Sequence, residues 1–228
     1  YKQTMKEFLD YYADSGADTA MARSANILAF LSKMRHLTGL AKIEPVCEFV
    51  EEHIMQTDRK IAVFVHHKDV GAGIKLKLQN MSKEWPAEWG KDILQLTSEM
   101  DSQQRDDVLT RWSKPDHRVC VLSTLASGEG LNLQFCSDMI QVERQWNPAN
   151  EEQVEARFPR PGQTADKINA HYPVAIGTVD EFFSEIVERK REICNSVMTG
   201  EAVKWDESSM IRELSEILAQ KGGKKWGW

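Results

Sequence analysis

Five short apolar runs, separated mostly by helical segments, occupy the middle of this 228-residue chain. Runs of this length suit buried β-strands, and the segments between them have the apolar spacing of helices. The runs lie at residues 61–65, 92–96, 118–122, 138–142 and 167–171, and the helical segments at 69–79, 101–112 and 148–157. This alternation predicts an α/β fold, a parallel sheet with helices on both faces. Such sheets bind ligands beyond the carboxyl ends of their strands, so the loops after the first four runs are the first candidates for function.

Residues 2 to about 57 form a helical lead-in to these runs. They lack the alternation of a strand, and their apolar residues recur at helical spacing. Examples are Ile27, Phe30, Leu31 and Met34. Gly39 predicts a break in this pattern, and Pro45, a residue favoured in the first turn of a helix, predicts its restart.

Composition and charge exclude several classes of protein. No apolar run approaches the roughly 20 residues that span a bilayer, and the N-terminus lacks a signal-peptide pattern, so we expect a soluble protein without a membrane partner that is not secreted. Because the chain begins at Tyr1 rather than Met, we expect it to be a piece of a longer polypeptide. The net charge of −6 argues against a broad electrostatic grip on nucleic acid, so any such contact must be local.

The cysteines and the paired histidines do not indicate a metal site. The cysteines are Cys47, Cys120, Cys136 and Cys194. They are far apart and form no C-x-x-C pair, so neither a disulfide framework nor a zinc site is expected. We interpret them as buried thiols in a reducing compartment. His66 and His67 lack a third ligand at a suitable spacing, and we predict no metal there.

Two arginines three residues apart, Arg157 and Arg160, form the most distinctive polar motif, which Gln153 precedes. Arginine stays ionised and binds phosphate oxygens through a planar fork, so a rigidly held pair suits the charge that develops on a transferring γ-phosphoryl group. A solvated face is the alternative, since paired surface arginines are common and often contribute little. Pro159 and Pro161 flank Arg160 and stiffen its turn, which favours a held pair.

The loop after the third apolar run carries hydrogen-bond donors. The hydroxyls of Ser123 and Thr124 stand at the strand end, and Gly128 and Gly130 follow in flexible backbone. Donors of this kind can bind a backbone phosphate. The alternative is an ordinary connection from strand to helix in which Ser123 or Thr124 is a cap.

Known nucleotide-binding motifs are incomplete or missing in this sequence. Gly71-Ala-Gly73 and Gly128-Glu-Gly130 each begin a G-x-G-x-x-G motif, but Leu76 and Leu133 occupy the place of the third glycine, so a dinucleotide site is not expected. The sequence also contains no G-x-x-x-x-G-K-[ST], the phosphate cradle of nucleotide hydrolases. We therefore expect this chain alone to lack a complete hydrolytic site.

Taken in order, these motifs form a longer series. It consists of the run at 61–65, Gln103-x-Arg105, Ser123-Thr124, Gly128-x-Gly130-Leu-Asn132-Leu133, Trp146-Asn147-Pro148 and Gln153-x3-Arg157-x2-Arg160-x-Gly162-Gln163. The series resembles the second RecA-like lobe of superfamily-two helicases, most of all that of the Swi/Snf branch. The resemblance covers roughly residues 30 to 195. The order of its last two motifs is much more specific than either motif alone.

The resemblance implies ATP-driven translocation on double-stranded DNA, with the chemistry in a cleft between this lobe and a first RecA-like lobe of the same polypeptide. It implies that Arg157 and Arg160 are arginine fingers and that Gln153 is the glutamine of the same motif. These three residues would face ATP and Mg²⁺ bound mainly by the first lobe. The isolated chain is therefore expected to be inactive.

The resemblance also assigns the loop after the third strand. Ser123 and Thr124 match residues near the DNA backbone, while Gly128, Glu129 and Gly130 match the loop that couples DNA to the nucleotide. A DNA-associated enzyme of this class is expected in the cytoplasm or on the nucleoid, or in the nucleus of a eukaryote.

The same resemblance implies a partition of the chain. Residues 1–57 would be the helical lead-in, residues 58–177 a RecA-like helicase C-terminal lobe, and residues 178–228 a brace helix with a helical tail. Thr178-Val-Asp-Glu181 fits a capping box that opens the brace helix.

The chain departs from the family at one point in the arginine motif. The family usually has His and Ile where this chain has Pro159 and Pro161, which alters the turn but keeps both arginines. Two other functions stay open beside the translocase. One is a strand-separating helicase with the same lobe, and the other is a non-catalytic interaction module in which the arginines are structural.

Overall fold

The computed structural model describes residues 1–14, 20–126, 130–145, 147–196 and 207–222. The helices in these residues are α1 (Lys2–Asp14), α2 (Ala20–Ala41), α3 (Ile43–Gln56), α4 (Lys68–Met81), α5 (Ser102–Ser113), α6 (Pro148–Glu155), α7 (Val179–Ser196) and α8 (Glu207–Ile217). The strands are β1 (Ile61–Val65), β2 (Leu94–Leu96), β3 (Val119–Ser123), β4 (Asp138–Gln141) and β5 (Asn169–His171). A 3₁₀ turn at Ala87–Trp89 precedes β2, and a π-helical turn at Leu218–Gly222 follows α8.

The five strands form one sheet in the order β2-β3-β1-β4-β5, and all neighbouring strands are parallel. Ile61 of β1 lies opposite Val119 of β3 and Asp138 of β4, so these strands begin at the same edge. All five predicted apolar runs are strands, and the predicted α/β fold with a parallel RecA-like sheet is confirmed. Strands β2 and β5 are each two residues shorter at the start than the sequence predicted.

Helices cover both faces of the sheet because alternate residues of each strand point to opposite sides. β1 is buried along its whole length. On one face, its odd-numbered residues pack in a cluster with α3 and α4 that includes Ile61, Val63, Val65, Val50, Ile54, Ile74 and Leu78. On the other face, its even-numbered residues pack with α5, α6 and the turn after α6 in a cluster that includes Ala62, Phe64, Trp112, Val154 and Phe158.

The chain divides into two compact units. The sheet unit consists of Gly39–Glu143 and Glu151–Pro173, and the helical unit consists of Tyr1–Thr38, Arg144–Asn150 and Val174–Trp228. The helical unit has its own core, formed by Met5, Phe8, Leu31, Met34, Phe182, Phe183, Ile186, Val187, Leu214 and Leu218. The boundaries at residues 57 and 177 that the resemblance implied stay a prediction. Among the residues described, no helix combines the length and the apolarity needed to cross a bilayer.

The predicted break at Gly39 is wrong. α2 continues through Gly39 to Ala41, and the chain turns at Lys42 before α3 begins at Ile43. A Cβ on Gly39 would lie 2.8 Å from Oε1 of Glu143, so the missing side chain serves a close approach rather than the end of a helix. Pro45 does lie in the first turn of α3, as predicted.

The capping arrangement at the start of α7 differs in detail from the prediction. The hydroxyl of Thr178 accepts a hydrogen bond from the N–H of Asp180 at 3.2 Å, rather than from Glu181. The carboxylate of Glu181 reaches back to the N–H of Gly177 at 3.0 Å, one residue before Thr178. α7 therefore begins where predicted, with its reciprocal bonds displaced by one residue.

Three of the four cysteines are buried thiols, as predicted. Burial raises the pKa of Cys47 and of Cys136 to about 12, so both stay protonated at neutral pH. The side chain of the fourth, Cys194, lies outside the described residues.

Candidate functional site

The carboxyl ends of β1, β2 and β3 meet at a small cavity of about 90 Å³. Its polar lining includes His66, Lys68, Gln95, Thr97, Ser98 and Ser123. These residues come from the ends of three neighbouring strands and the loops that follow them, because a parallel sheet brings its carboxyl ends to one edge. The loops predicted to matter after the first three strands are therefore brought together.

Ser123 and Thr124 stand at this edge in different environments. Ser123 ends β3 opposite Val65 and lines the cavity. The backbone N–H of Thr124 donates to the carbonyl of Val65 at 2.9 Å, which extends the pairing of β3 with β1 by one more bond. Both residues are partly buried, so their backbone is fixed against the sheet.

An ion pair between Lys68 and Glu99 joins two sides of the cavity lining. Hydrogen bonding and attraction to the Lys68 ammonium hold the pKa of Glu99 below its usual range. Both side chains are largely exposed, so solvent screens the pair and its contribution to stability is small. A bound anion can therefore compete with Glu99 for the ammonium at little cost.

Glu143 fixes the backbone of the loop after β1. Its carboxylate is fully buried and accepts the backbone N–H groups of His66 at 2.7 Å and His67 at 3.0 Å. It also contacts Nδ1 of His67. A carboxylate at this place suits the loop that leads into the N-terminus of α4, where the helix dipole favours negative charge. The histidine pair is thus held by a carboxylate from the end of β4, which the sequence did not predict.

The two arginines lie on either side of a buried aromatic anchor. α6 ends at Glu155, two residues earlier than predicted, and Arg157 lies in the turn beyond it. Phe158 is fully buried and packs edge-to-face on Phe64 of β1, with 6.3 Å between ring centroids. Arg157 and Arg160 are both partly exposed. Phe158 therefore ties the backbone between the two arginines to the sheet.

Backbone hydrogen bonds close the turn that carries Arg160. Its N–H donates to the carbonyl of Phe158 at 2.8 Å, and its own carbonyl accepts from the N–H of Gln163 at 2.9 Å. Gly162 has a φ of +98°, in the left-handed region that favours glycine. The sequence therefore forms a defined turn here, with prolines where the family usually has His and Ile.

The arginine turn is also bonded to the loop after β3. Leu133 N–H donates to the carbonyl of Arg157 at 3.1 Å, and the side chain of Gln163 donates to the carbonyl of Cys136 at 2.8 Å. Asn132 accepts a hydrogen bond from Nη1 of Arg160. The loop after β3 and the arginine turn, which the sequence analysis identified separately, are therefore joined by hydrogen bonds.

α6 carries two further features that the sequence predicted. Pro148 is the first residue of α6, as predicted, and the side chain of Asn147 accepts from the N–H of Ala149 at 3.0 Å. Gln153 lies exposed on this helix. Of the other predicted site residues, Gly130 has a φ of +50°, whereas Gly128 and Glu129 lie outside the described residues, as does Trp146.

A family model described as "Helicase conserved C-terminal domain" matches residues 41–162. That span is more than half of the chain and runs from the end of α2 to the arginine turn. The chain belongs to this family. The matched residues include strands β1 to β4, Arg157 and Arg160.

Relatives of this helicase C-terminal domain are much longer proteins. The chain is 27% identical, over 89% of its length, to the mouse (Mus musculus) DNA annealing helicase and endonuclease ZRANB3, of which it covers 17%. It is 31% identical, over 71% of its length, to the Caenorhabditis elegans homolog of SWI/SNF-related matrix-associated actin-dependent regulator of chromatin subfamily A-like protein 1, of which it covers 23%. The predicted resemblance to the Swi/Snf branch is confirmed.

One solved structure with the same fold is the Sulfolobus solfataricus SWI2/SNF2 ATPase core in complex with dsDNA. The TM-score is 0.72 at 20% identity, and the alignment covers 98% of this chain and 46% of that chain. The likeness shows that the two chains share a fold over nearly all of this chain.

Sequence reasoning missed Glu143 and Asn132. A local signal existed for Glu143, a charged residue directly after the apolar run at 138–142. Asn132 lies within a recognised motif, but nothing near it in the sequence indicates its contact with Arg160.

Proposed function

We propose that this helicase C-terminal domain is the second motor lobe of an ATP-dependent translocase on double-stranded DNA. In this function Arg157 and Arg160 are arginine fingers for ATP and Mg²⁺ bound by a first RecA-like lobe of the same polypeptide. The observation that carries the proposal is the arginine turn, in which two cations are held on either side of the buried Phe158. The names of the mouse helicase and the archaeal ATPase core agree with it.

The turn suits charge stabilisation in a transition state. During phosphoryl transfer, negative charge develops on the γ-phosphoryl oxygens, and donors already in place stabilise it without reorganisation. The backbone of Arg160 is fixed on both sides, so little is left to organise beyond its side chain. Gln153, exposed on α6 one helical turn before Arg157, would face the same nucleotide.

DNA would contact the carboxyl edge of the sheet. Ser123 and Lys68 line the cavity there with a hydroxyl and an ammonium group, and a phosphate of the DNA backbone is a ligand that such donors fit. Thr124 lies directly beside this lining. With a net charge of −6, the chain has no general attraction for DNA, so the contact depends on these local groups.

On this proposal the chain alone is not an ATPase. Its sequence contains no phosphate-binding G-x-x-x-x-G-K-[ST] motif, so the nucleotide must be held elsewhere. The arginines contribute only when another lobe brings ATP to them.

The test is Arg160→Ala in the complete protein. We expect DNA-stimulated ATP turnover to fall on the order of a thousandfold while ATP binding stays nearly unchanged, because a finger acts mainly in the transition state. Arg157→Ala should behave similarly, and Arg160→Lys should restore little, since an ammonium lacks the planar fork.

A matched control is Arg111→Ala, which removes an exposed arginine paired with Asp92 on another part of the sheet unit. This control should keep wild-type turnover. If folded Arg160→Ala protein also turns over ATP at the wild-type rate, the arginines are structural and the finger assignment is wrong.

A further inference from the structure

The guanidinium group of Arg160 is held by a neutral side chain from the loop after β3. Its Nη1 donates to Oδ1 of Asn132. Its Nε points to the carbonyl of Ala156 at 3.5 Å, the outer limit of a hydrogen bond. The contact with Asn132 is therefore the stronger restraint on the end of this side chain.

A fixed backbone does not by itself fix the position of the guanidinium group of Arg160. The turn sets where the side chain of Arg160 begins, but an arginine has several rotatable bonds between its backbone and its charged end. A reacting phosphoryl group is stabilised only when the donors stand where the charge develops. Something must therefore restrain the guanidinium end.

Asn132 is well placed to give this restraint because its own position is anchored on both sides. Leu131 is buried to 4% exposure and Leu133 is fully buried, so the exposed Asn132 lies between two core residues. The N–H of Leu133 also donates to the carbonyl of Arg157 at 3.1 Å. The acceptor and the turn that it restrains therefore belong to one rigid structure.

We propose that Asn132 is a positioning residue that orients the guanidinium group of Arg160 toward the γ-phosphoryl group of ATP. This inference rests on the proposed function of Arg160. It adds a residue from the loop after β3 to the hydrolytic machinery without giving that residue any contact with ATP.

The chemistry of asparagine fits this role. A guanidinium group has five N–H donors, and the bond to Asn132 uses one of them, which leaves a fork of donors for phosphate oxygens. The amide oxygen is uncharged, so it orients the cation without neutralising it. An aspartate at the same place would form an ion pair and would set a negative charge beside the phosphoryl oxygens.

The experiment measures steady-state, DNA-stimulated ATP hydrolysis by the complete protein and its variants. For Asn132→Ala we expect kcat to fall roughly threefold to tenfold with little change in KM for ATP, as suits the net contribution of a single exposed hydrogen bond. For Asn132→Asp we expect a larger fall in kcat, because the added charge opposes the developing one.

The matched control is Asn80→Ala. Asn80 is also an exposed asparagine that accepts a hydrogen bond from a cation, Lys83 at 2.9 Å, but it lies at the end of α4. Its loss should leave kcat unchanged. Melting temperatures of all variants show whether any fall in kcat follows from unfolding.

A double-mutant cycle separates this inference from the proposed function. If Asn132 acts through Arg160, Asn132→Ala has no further effect in the Arg160→Ala background. A large loss in Arg160→Ala with wild-type kcat in Asn132→Ala, or with fully additive losses, overturns the positioning role and leaves the finger assignment intact. Wild-type turnover in Arg160→Ala overturns both.

Discussion

Two buried carboxylates flank strand β4, one at its first residue and one two residues beyond its last, and they have different partners. Asp138, at the amino end, accepts hydrogen bonds from the side chains of Ser137 at 2.6 Å and Asn169 at 2.8 Å, and Arg59 lies 3.4 Å away. Glu143, just beyond the carboxyl end, accepts the backbone N–H groups of the loop after β1. The first is bonded to side chains, whereas the second shapes a loop.

The surroundings of the two carboxylates differ in the same way. Near Asp138, the buried guanidinium of Arg118 donates to the carbonyls of Ile54, Thr57 and Arg59 and so closes the end of α3. Near Glu143, the loop opens onto the cavity. The two acidic residues therefore differ in their setting: Asp138 lies in a closed network at the amino end of β4, and Glu143 fixes a loop that lines the cavity beyond its carboxyl end.

The largest effect should follow from Arg118→Met. This change leaves three carbonyl groups without their donor, and we expect a loss of about 3 kcal/mol in the free energy of unfolding. In a chain of this size, that corresponds to a fall on the order of 10 °C in melting temperature. Thermal unfolding measures it. Arg59→Met is the control, since Arg59 is half exposed and should contribute much less. Equal losses in both variants would contradict the special position of Arg118.

A paired substitution compares the two carboxylates directly. Glu143→Gln and Asp138→Asn each remove one buried charge from an end of the β4 region while keeping the shape of the side chain. We expect each to lower the free energy of unfolding by about 1–3 kcal/mol. We expect only Glu143→Gln to lower DNA-stimulated ATP turnover per folded molecule, because only Glu143 positions a loop at the proposed DNA contact. Equal turnover in the two variants would show that the carboxyl edge is no more functional than the amino edge.

The smallest expected effect is a change of folding stability with pH, caused by His53 near the amino end of β4. Burial lowers the pKa of His53, and the positive charges of Arg59 and Arg118 lower it further. The negative charge of nearby Asp138 raises it in part, but the net shift is downward. In the unfolded chain the same group titrates near 6.5, so the unfolded state binds more protons as the pH falls below that value. Folding stability should therefore decline on acidification from about pH 7 toward pH 5.

Thermal unfolding across this range checks the effect, with His53→Gln as the comparison. The variant should lose less stability than the wild type on acidification. A wild-type profile that runs parallel to that of His53→Gln would show that His53 makes no contribution.

The strands and most helices were predictable because their signals are local. Each apolar run identifies a strand from neighbouring residues alone, and Pro148 marks the start of α6. The ends of the helices were less predictable. For example, α6 ends at Glu155 because the chain there turns toward the buried Phe158. The break predicted at Gly39 is wrong for a similar reason, since the missing side chain makes room for the distant Glu143 and does not end the helix.

The bonds that assemble the candidate site could not be predicted from the sequence. Asn132 and Arg160 are 28 residues apart, and His67 and Glu143 are 76 apart. Local patterns identify the residue types but not which acceptor meets which donor across the sheet. The resemblance identified the arginines, whereas the residues that restrain them became visible only in the structure.

Phe158 links the control of the arginine pair to movement of the whole domain. Because this ring is fully buried and packs on Phe64 in the middle of the sheet, the backbone of both arginines is tied to the core of the sheet unit. Under the proposed function, the start of each arginine side chain would therefore travel with this core whenever the domain moves relative to the first lobe.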